Sequence, residues 1–353
     1  MRKHSMPVLL WALLVCALPC AAQTTPARTR PEPVGEGEVL SVDTTLVNIL
    51  ASVTDRHGRY IGGLRQQDFR VYEDGVEQQL VHFAAAEVPF TVALMLDTSG
   101  SARFRLKDMQ EAAISFVDQL RPDDRVLLLS FNDQVSVLAE PTGDRGVLRN
   151  AIRLAGGGNG TRLYDAVDFA IKRRLNSISG RKAIVLFTDG IDNVSRSATR
   201  ANNLRDVRES DALFYTVQYD TFVEGVSAVV AGGGVPALNT PSVLTTRSDR
   251  VYPTGFGEKD YAQARDYMQK LASATGARYY HADDLTKIRE AFAGVAQELR
   301  SRYSLGYYPK HPARDGQPHV LKVRAASPNV SLKLSVRARD GYVGKPPLDQ
   351  AKK

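Results

Sequence analysis

The sequence predicts an α/β protein built on a doubly wound, mostly parallel sheet, with antiparallel β segments before and after it. Between residues 88 and 302, short continuous apolar runs alternate with amphipathic helices, a pattern typical of a sheet buried on both faces. In the flanking segments, residues 39–87 and 303–344, apolar and polar positions alternate, as in half-buried antiparallel strands. Because an isolated hairpin is only marginally stable, we expect the two flanking segments to form one discontinuous β domain.

Residues 1–22 have the pattern of a signal peptide. Two basic residues precede an apolar run over residues 8–18, which is too short to span a hydrocarbon core of ~30 Å. Small residues before Gln23 suit cleavage at that point, so we predict an exported protein, periplasmic or extracellular. Lipidation at Cys20 is the disfavoured alternative, because Leu and Pro precede that cysteine where small residues would be required.

The composition excludes several kinds of site. The chain has 353 residues, with 46 Lys and Arg against 39 Asp and Glu, and two cysteines. Both cysteines lie in the predicted signal peptide, so the mature chain would contain no disulfide and no cysteine-based metal site. No dense basic run interleaved with aromatic residues is present, so we predict no nucleic-acid partner. No later apolar stretch has the length of a membrane span, so we predict no transmembrane segment in the mature chain.

The N-terminal β segment is expected to begin after a flexible leader at residues 23–38, which is rich in Pro, Thr, Arg, Glu and Gly. Apolar residues occupy alternate positions from Val47 to Val53 and predict one strand. Alternating residues before and after Asp74-Gly75 predict two further strands, because an Asp-Gly pair between such runs is a strong hairpin signal.

The α/β region contains four continuous apolar runs and three amphipathic stretches. The predicted strands cover residues 91–96, 126–130, 183–187 and 213–217. The predicted helices cover residues 106–120, 261–274 and 285–299, and a further helix is expected to start near Arg162.

Two features complete the predicted organisation. Residues 220–260, with three consecutive glycines and several prolines, predict a long inserted loop, and loops of that length are usually functional or disordered. In the C-terminal segment, two alternating runs over residues 321–325 and 330–338 flank a Pro-Asn pair and predict a second hairpin. Residues 345–353 are expected to be a tail.

Three polar loops are predicted to lie at one edge of the sheet. Asp97-Thr98-Ser99-Gly100-Ser101 follows the first buried strand, a glycine-rich loop ends at Thr161, and Asp189 follows the strand at residues 183–187. Ligands bind at the carboxyl ends of the strands in open α/β sheets. Carboxylate and hydroxyl oxygens are the donors that Mg²⁺ prefers. The pattern therefore predicts a divalent-cation site at this edge.

Simpler interpretations of the same residues remain open. The Asp97–Ser101 loop could be only a turn and a helix cap, and Asp189-Gly190 could be an ordinary turn after a strand. A phosphate loop is disfavoured because no lysine precedes Thr161, and Ser99 lacks the glycine pattern of a nucleophile elbow. The histidines show no zinc-ligand spacing and are expected to be surface or strand residues: His57, His82, His281, His311 and His319.

The three loops resemble the metal-ion-dependent adhesion site of the von Willebrand factor type A domain family, over about residues 88–302. The resemblance implies that Ser99 and Ser101 coordinate the ion directly, and Thr161 directly or through water. It implies that Asp97 and Asp189 hold the ion mainly through waters. The implied cofactor is Mg²⁺, or Mn²⁺ or Ca²⁺, and the open coordination position would take a carboxylate from a protein ligand.

Two further expectations follow. Asp192 could support the metal ligands from the second coordination sphere. Outside the central region, residues 63–75, 305–309 and 338–342 look like the exported bacterial VWFA-related domain proteins frequent in acidobacteria, a family with no general activity to carry over. The predicted function is therefore a metal-dependent, adhesion-type binding protein without enzymatic activity. The alternatives are a structural subunit of a cell-envelope complex and a metal-assisted periplasmic hydrolase.

Overall fold

The structure is a computed structural model, and it describes residues 46–85, 88–102, 106–219, 223–224, 250–251, 256–310, 316–326 and 333–344. The predicted signal peptide, leader and C-terminal tail, and most of the predicted 220–260 loop, lie outside these residues. Within them, no helix is both long enough and apolar enough to cross a membrane.

The described residues form the following elements. The strands are β1 (Val47–Thr54), β2 (Phe69–Glu73), β3 (Val76–Gln78), β4 (Leu80–Ala84), β5 (Phe90–Asp97), β6 (Arg125–Phe131), β7 (Val135–Thr142), β8 (Arg181–Thr188), β9 (Leu213–Tyr219), β10 (Val223–Glu224), β11 (Arg250–Val251), β12 (Tyr279–Ala282), β13 (Arg302–Tyr307), β14 (Pro318–Ala325), β15 (Ser335–Arg337) and β16 (Gly341–Val343). The helices are α1 (Leu106–Gln119), α2 (Arg145–Leu154), α3 (Leu163–Asp168), α4 (Arg200–Glu209), α5 (Glu258–Ala274) and α6 (Leu285–Arg300). A π-helical segment, Phe169–Arg174, continues α3.

The central sheet has six strands in the order β12-β9-β8-β5-β6-β7. All neighbouring pairs are parallel except β6 and β7, so the sheet is mostly parallel with one antiparallel edge strand. The four apolar runs found in the sequence are the inner strands β5, β6, β8 and β9, which confirms the predicted fold class. The edge strands β7 and β12 were not predicted.

Helices cover both faces of this sheet, and strand β5 shows why its apolar run is continuous. Val92, Leu94 and Leu96 pack on one face with α1, α2 and α6. Ala93 and Met95 pack on the other face with α3, α4 and α5. Successive side chains of a strand point to opposite faces, so a strand covered on both sides needs apolar residues at every position.

The flanking segments form two four-stranded antiparallel sheets, ordered β15-β1-β13-β4 and β16-β14-β2-β3. Each sheet contains strands from both ends of the chain, and Ile49, Phe69 and Leu305 are fully or almost fully buried in their shared core. The prediction that the two segments form one discontinuous β structure is confirmed. We call this pair of sheets the β sandwich.

The predicted C-terminal hairpin is wrong. Strand β14 lies between β2 and β16, whereas β15 pairs with β1 in the other sheet. The apolar–polar alternation is the same whichever sheet a strand joins, so it predicts a strand without specifying its partner. The Asp74-Gly75 hairpin is confirmed, because β2 and β3 pair across that turn and both turn residues have positive φ, 48° and 85°.

Candidate functional site

Asp97 and Thr188 bring two of the polar loops together at the carboxyl edge of the sheet. They end β5 and β8, which are neighbouring parallel strands, so the pairing of Leu96 with Phe187 places them side by side. The Thr188 hydroxyl donates to Asp97 Oδ2 at 2.5 Å, and the Ser99 backbone N–H donates to Asp97 Oδ1 at 2.9 Å. The Asp97 carboxylate is thereby fixed in orientation and fully buried.

The two serine hydroxyls of the first loop lie next to each other. Ser99 Oγ and Ser101 Oγ are 3.0 Å apart, and Ser99 is almost completely buried. The Ala102 backbone N–H donates to the Ser99 carbonyl oxygen at 3.1 Å, which closes the loop into a tight turn. The D-x-S-x-S segment therefore brings one carboxylate and two hydroxyls close together.

The loop that carries Thr161 is hydrogen-bonded to both other loops. The Gly158 N–H donates to the Thr98 carbonyl oxygen at 2.8 Å, on the side of the first loop. The Thr161 N–H donates to Asn193 Oδ1 at 2.8 Å, and the Asn193 N–H donates back to the Thr161 carbonyl oxygen at 3.1 Å. A Cβ at position 158 would lie 2.8 Å from the Asn132 Cβ, which cannot move without its backbone, so the close approach of this loop to the end of β6 favours glycine there.

The carboxylates of Asp97 and Asp189 are both fully buried and influence each other. Burial raises the pKa of Asp97 to about 6, although hydrogen bonds from Ser99 and Thr188 lower it in part. Burial, and then the charge of Asp97, raise the pKa of Asp189 to about 7. Among the described residues, no Lys, Arg or His forms an ion pair with either carboxylate.

Asp189 also has one unsatisfied oxygen. Its Oδ1 accepts from the Ile191 N–H at 3.0 Å, and the Ser101 hydroxyl lies near enough to lower its pKa, but no well-formed hydrogen bond from a described residue reaches its buried Oδ2. A buried acceptor without a partner costs about 1–3 kcal/mol, and more when the group is charged. A cation held between these loops would supply the missing contact.

Asp192, in the loop after β8, lies close in space to the first residues of α3. Its Oδ1 accepts from the Tyr164 N–H at 3.1 Å and from the Ser195 hydroxyl at 2.5 Å. The carboxylate thus joins the loop after β8 to the helix that follows Thr161. Its support of a metal ligand stays a prediction.

Sequence reasoning missed Thr188 and Tyr219. Thr188 is the polar last residue of an otherwise apolar strand, directly before Asp189, and that position was a usable signal. The Tyr219 ring stacks on Phe187 with centroids 4.6 Å apart, and its buried hydroxyl lies close to the Asp189 backbone. Burial, and then the charges of Asp97 and Asp189, hold the pKa of Tyr219 well above its ordinary value. Nothing in the sequence around Tyr219 indicates that this side chain lies near Asp97 and Asp189.

Comparison with known proteins gives relatives that are distant in sequence. The chain is 24% identical over 222 residues to a UPF0353 protein of Mycobacterium tuberculosis, which covers 59% of this chain and 60% of the relative. It therefore spans about 60% of the length of the curated relatives it matches.

Two solved structures are also similar. A von Willebrand factor type A protein from Catenulispora acidiphila has 12% identity and a TM-score of 0.46, covering 80% of this chain and 75% of that one. Proximal thread matrix protein 1 from the mussel byssus, with a zinc-occupied MIDAS motif, has 12% identity and a TM-score of 0.43, covering 64% and 49%.

A family model matches a stretch that contains the candidate ligands. The model of the von Willebrand factor type A domain matches residues 92–191, which include Asp97, Ser99, Ser101, Thr161 and Asp189. Residues 92–191 therefore belong to the von Willebrand factor type A domain family.

Proposed function

We propose that this domain binds a divalent cation through Asp97, Ser99, Ser101, Thr161 and Asp189 and uses the cation to bind an acidic group on a partner protein. Mg²⁺ is the proposed ion, with Mn²⁺ and Ca²⁺ as the other candidates. The observation that carries the proposal is the pair of fully buried carboxylates, Asp97 and Asp189, which no cationic side chain neutralises among the described residues.

The donor set fits a hard cation. All the side-chain donors are oxygens, and two of them are the neutral hydroxyls that lie 3.0 Å apart. Mg²⁺ takes oxygen ligands, retains several waters and needs few protein carboxylates. Ionising two neighbouring buried carboxylates is costly in free energy. A bound dication neutralises their charge and makes this ionisation favourable.

The same donor set leaves the ion able to bind an external carboxylate. Neutral hydroxyls neutralise none of the charge of a dication, and carboxylates that act through waters neutralise it only in part, so an ion held directly by Ser99, Ser101 and Thr161 stays electrophilic. Type A domains are generally protein-interaction modules, which favours binding over catalysis. Export of the chain, to the periplasm or beyond, is part of this proposal and depends on the predicted signal peptide.

Calorimetry tests the metal site. We expect the EDTA-treated wild-type protein to bind one equivalent of Mg²⁺ or Mn²⁺ at this site, and Asp97→Ala and Ser99→Ala to lose that binding. Ser210→Ala is the matched control, because Ser210 precedes β9 at the amino edge of the same sheet. No binding of either ion by a folded wild-type protein would refute the metal site.

Affinity capture tests the partner. Bait protein is incubated with envelope extract in Mg²⁺ or in EDTA, and wild type is compared with Ser99→Ala and Ser210→Ala. A partner retained by wild type and Ser210→Ala only in Mg²⁺, and lost by Ser99→Ala, supports the proposal. A stoichiometric partner that resists EDTA and is retained by Ser99→Ala would instead indicate a metal-independent structural role.

A further inference from the structure

A second group of potential metal ligands lies in the β sandwich. Glu73 ends β2, Asp74 is the first residue of the Asp-Gly turn, and His319 lies on β14, which pairs with β2. One potential ligand atom from each of the three residues lies within 4.8 Å of the others. Sequence reasoning treated His319 as an ordinary surface or strand residue, because its neighbours in space are about 245 positions away in the chain.

The imidazole of His319 faces both carboxylates. His319 Nδ1 lies 2.8 Å from Asp74 Oδ2 and 3.2 Å from Glu73 Oε1. His319 and Glu73 are buried, whereas the side chain of Asp74 is about half exposed, at 49%. The Val320 N–H donates to Asp74 Oδ1 at 2.8 Å, which holds that carboxylate against the strand. The cluster is therefore preformed, and it is open to solvent on the Asp74 side.

One oxygen of the Glu73 carboxylate has no well-formed hydrogen bond within the part of the chain that the structure describes. This oxygen, Oε2, is buried, whereas Oε1 accepts from the Tyr342 hydroxyl at 2.8 Å. The Tyr307 side chain is completely buried, and its hydroxyl lies beside the Glu73 carboxylate and interacts with it. Burial, and then the neighbouring Glu73 carboxylate, raise the pKa of Tyr307. A buried carboxylate oxygen without a well-formed hydrogen bond is uncommon in folded proteins, and a bound cation would satisfy it.

We propose that Glu73, Asp74 and His319 bind a divalent first-row transition metal, with Zn²⁺ as the ion to be tested. One imidazole nitrogen and two carboxylates are a donor set that Zn²⁺ accepts, whereas Mg²⁺ takes oxygen ligands. Tetrahedral zinc with ligands at about 2.0–2.1 Å places its donor atoms about 3.3 Å apart. The 2.8 and 3.2 Å separations would need to widen by about half an ångström or less. The exposed side of Asp74 provides entry and a position for a bound water.

Tyr342 is the positioning residue of this site. Its hydroxyl holds Glu73 Oε1, and its ring stacks on the His319 ring with centroids 5.0 Å apart and planes 24° apart. Groups that orient metal ligands in this way typically change metal affinity by about 10–100-fold when they are removed. Tyr342→Phe keeps the stacking ring and removes only the hydroxyl, so it tests the orientation of Glu73 alone.

The competing explanation is a structural ion pair, in which a protonated His319 bridges the two carboxylates without a metal. That arrangement would make His319 important for stability, yet added Zn²⁺ would change nothing. Loss of stability in a His319 variant therefore cannot distinguish the two explanations, and the test must measure metal binding.

The experiment uses the full chain carrying Ser99→Ala, so that the proposed Mg²⁺ site does not contribute. Zn²⁺ affinity is measured by competition with a chromogenic chelator, and Co²⁺ is added as a spectroscopic substitute. Asp74→Asn, His319→Gln and Tyr342→Phe are added singly. The matched control is His57→Gln, which changes an exposed histidine in another turn of the sandwich. Asp74→Asn is expected to fold like the parent, because Asn also tolerates positive φ and keeps an acceptor for the Val320 N–H.

We expect the parent and His57→Gln to bind one Zn²⁺ and to give the visible absorption of tetrahedral Co²⁺. Asp74→Asn and His319→Gln should each weaken Zn²⁺ binding at least tenfold and abolish the Co²⁺ band, and Tyr342→Phe should weaken binding about tenfold. The proposal is overturned if the folded parent binds no Zn²⁺, or if Asp74→Asn binds Zn²⁺ as tightly as the parent.

Discussion

Asp189→Asn gives the sharpest test of the electrostatics of the candidate cation site. The substitution keeps the shape of the side chain and removes one of two buried charges that repel each other. In EDTA at pH 8, we expect the variant to be more stable than wild type. In saturating Mg²⁺ at the same pH, we expect wild type to be more stable, because only its site binds the ion. The order of stability should therefore reverse with the metal.

The magnitude follows from the shift in pKa. The pKa of Asp189 is raised from 3.8 to about 7, and one pKa unit corresponds to about 1.4 kcal/mol. The whole shift corresponds to a gain in the free energy of unfolding of at most about 4 kcal/mol. Part of that gain is attributable to Asp97, since the two carboxyl groups titrate together. We therefore expect the variant to gain on the order of 2 kcal/mol in EDTA at pH 8.

The sign of the pH dependence follows from the same shift. A carboxyl group whose pKa is raised on folding binds more protons in the folded state, between pH 4 and pH 7. Metal-free wild type should therefore lose stability as the pH rises through this window, and Asp189→Asn should lose less. Below about pH 3, the advantage of the variant in EDTA should disappear, because Asp189 is then protonated in both the folded and the unfolded state.

Urea denaturation in EDTA and in Mg²⁺, at several pH values, measures these effects. Asp165→Asn is the matched control. Burial alone would raise the pKa of Asp165, but the N–H groups of residues 196–198, which donate at 2.8–3.0 Å, lower it overall. Asp165→Asn should therefore be destabilising at pH 8, with or without metal. If Asp189→Asn is less stable than wild type in EDTA at pH 8, the reasoning is refuted.

Three further predictions concern single substitutions. Thr188→Val removes the hydroxyl that orients a site carboxylate and should weaken Mg²⁺ binding about tenfold by calorimetry; unchanged affinity would contradict that role. Gly190→Ala should cost about 1–3 kcal/mol in urea denaturation, because φ is +87° and the new Cβ would lie 3.0 Å from another side chain. Gly180→Ala, at φ +86° with open space around it, should cost less stability than Gly190→Ala. An equal cost for the two variants would show that the close contact at position 190 contributes nothing beyond the backbone strain. Glu298→Gln should cost about 3–5 kcal/mol, because it leaves the fully buried Arg302 without its charge partner; a change below 1 kcal/mol would show that the pair is dispensable.

The sequence predicted the parts of this molecule that depend on local pattern. Strand β5 needs apolar residues on both faces, so its apolar run was visible without any knowledge of its neighbours. The polar residues at the ends of β5 and β8 could also be predicted to lie together, because parallel strands have their carboxyl ends at the same edge of the sheet. Contacts between distant segments were not visible. The partner of β15, and the carboxylates beside His319, depend on how two sheets are assembled from both ends of the chain.

The position of the β sandwich explains why the two proposed metal sites can act separately. Gly276, just before β12, packs so closely on the sandwich that a Cβ there would lie 2.2 Å from the Ala338 carbonyl carbon. The sandwich therefore meets the parallel sheet at the amino edge of its strands. Asp97 and Asp189 lie at the carboxyl edge, and strands of eight residues such as β5 and β8 span about 25 Å between the two edges. The sandwich thus leaves the candidate Mg²⁺ site uncovered on the side where a partner would approach. Perturbations that far apart, with no shared contact, are additive to a good approximation, so failure of either proposal leaves the other standing.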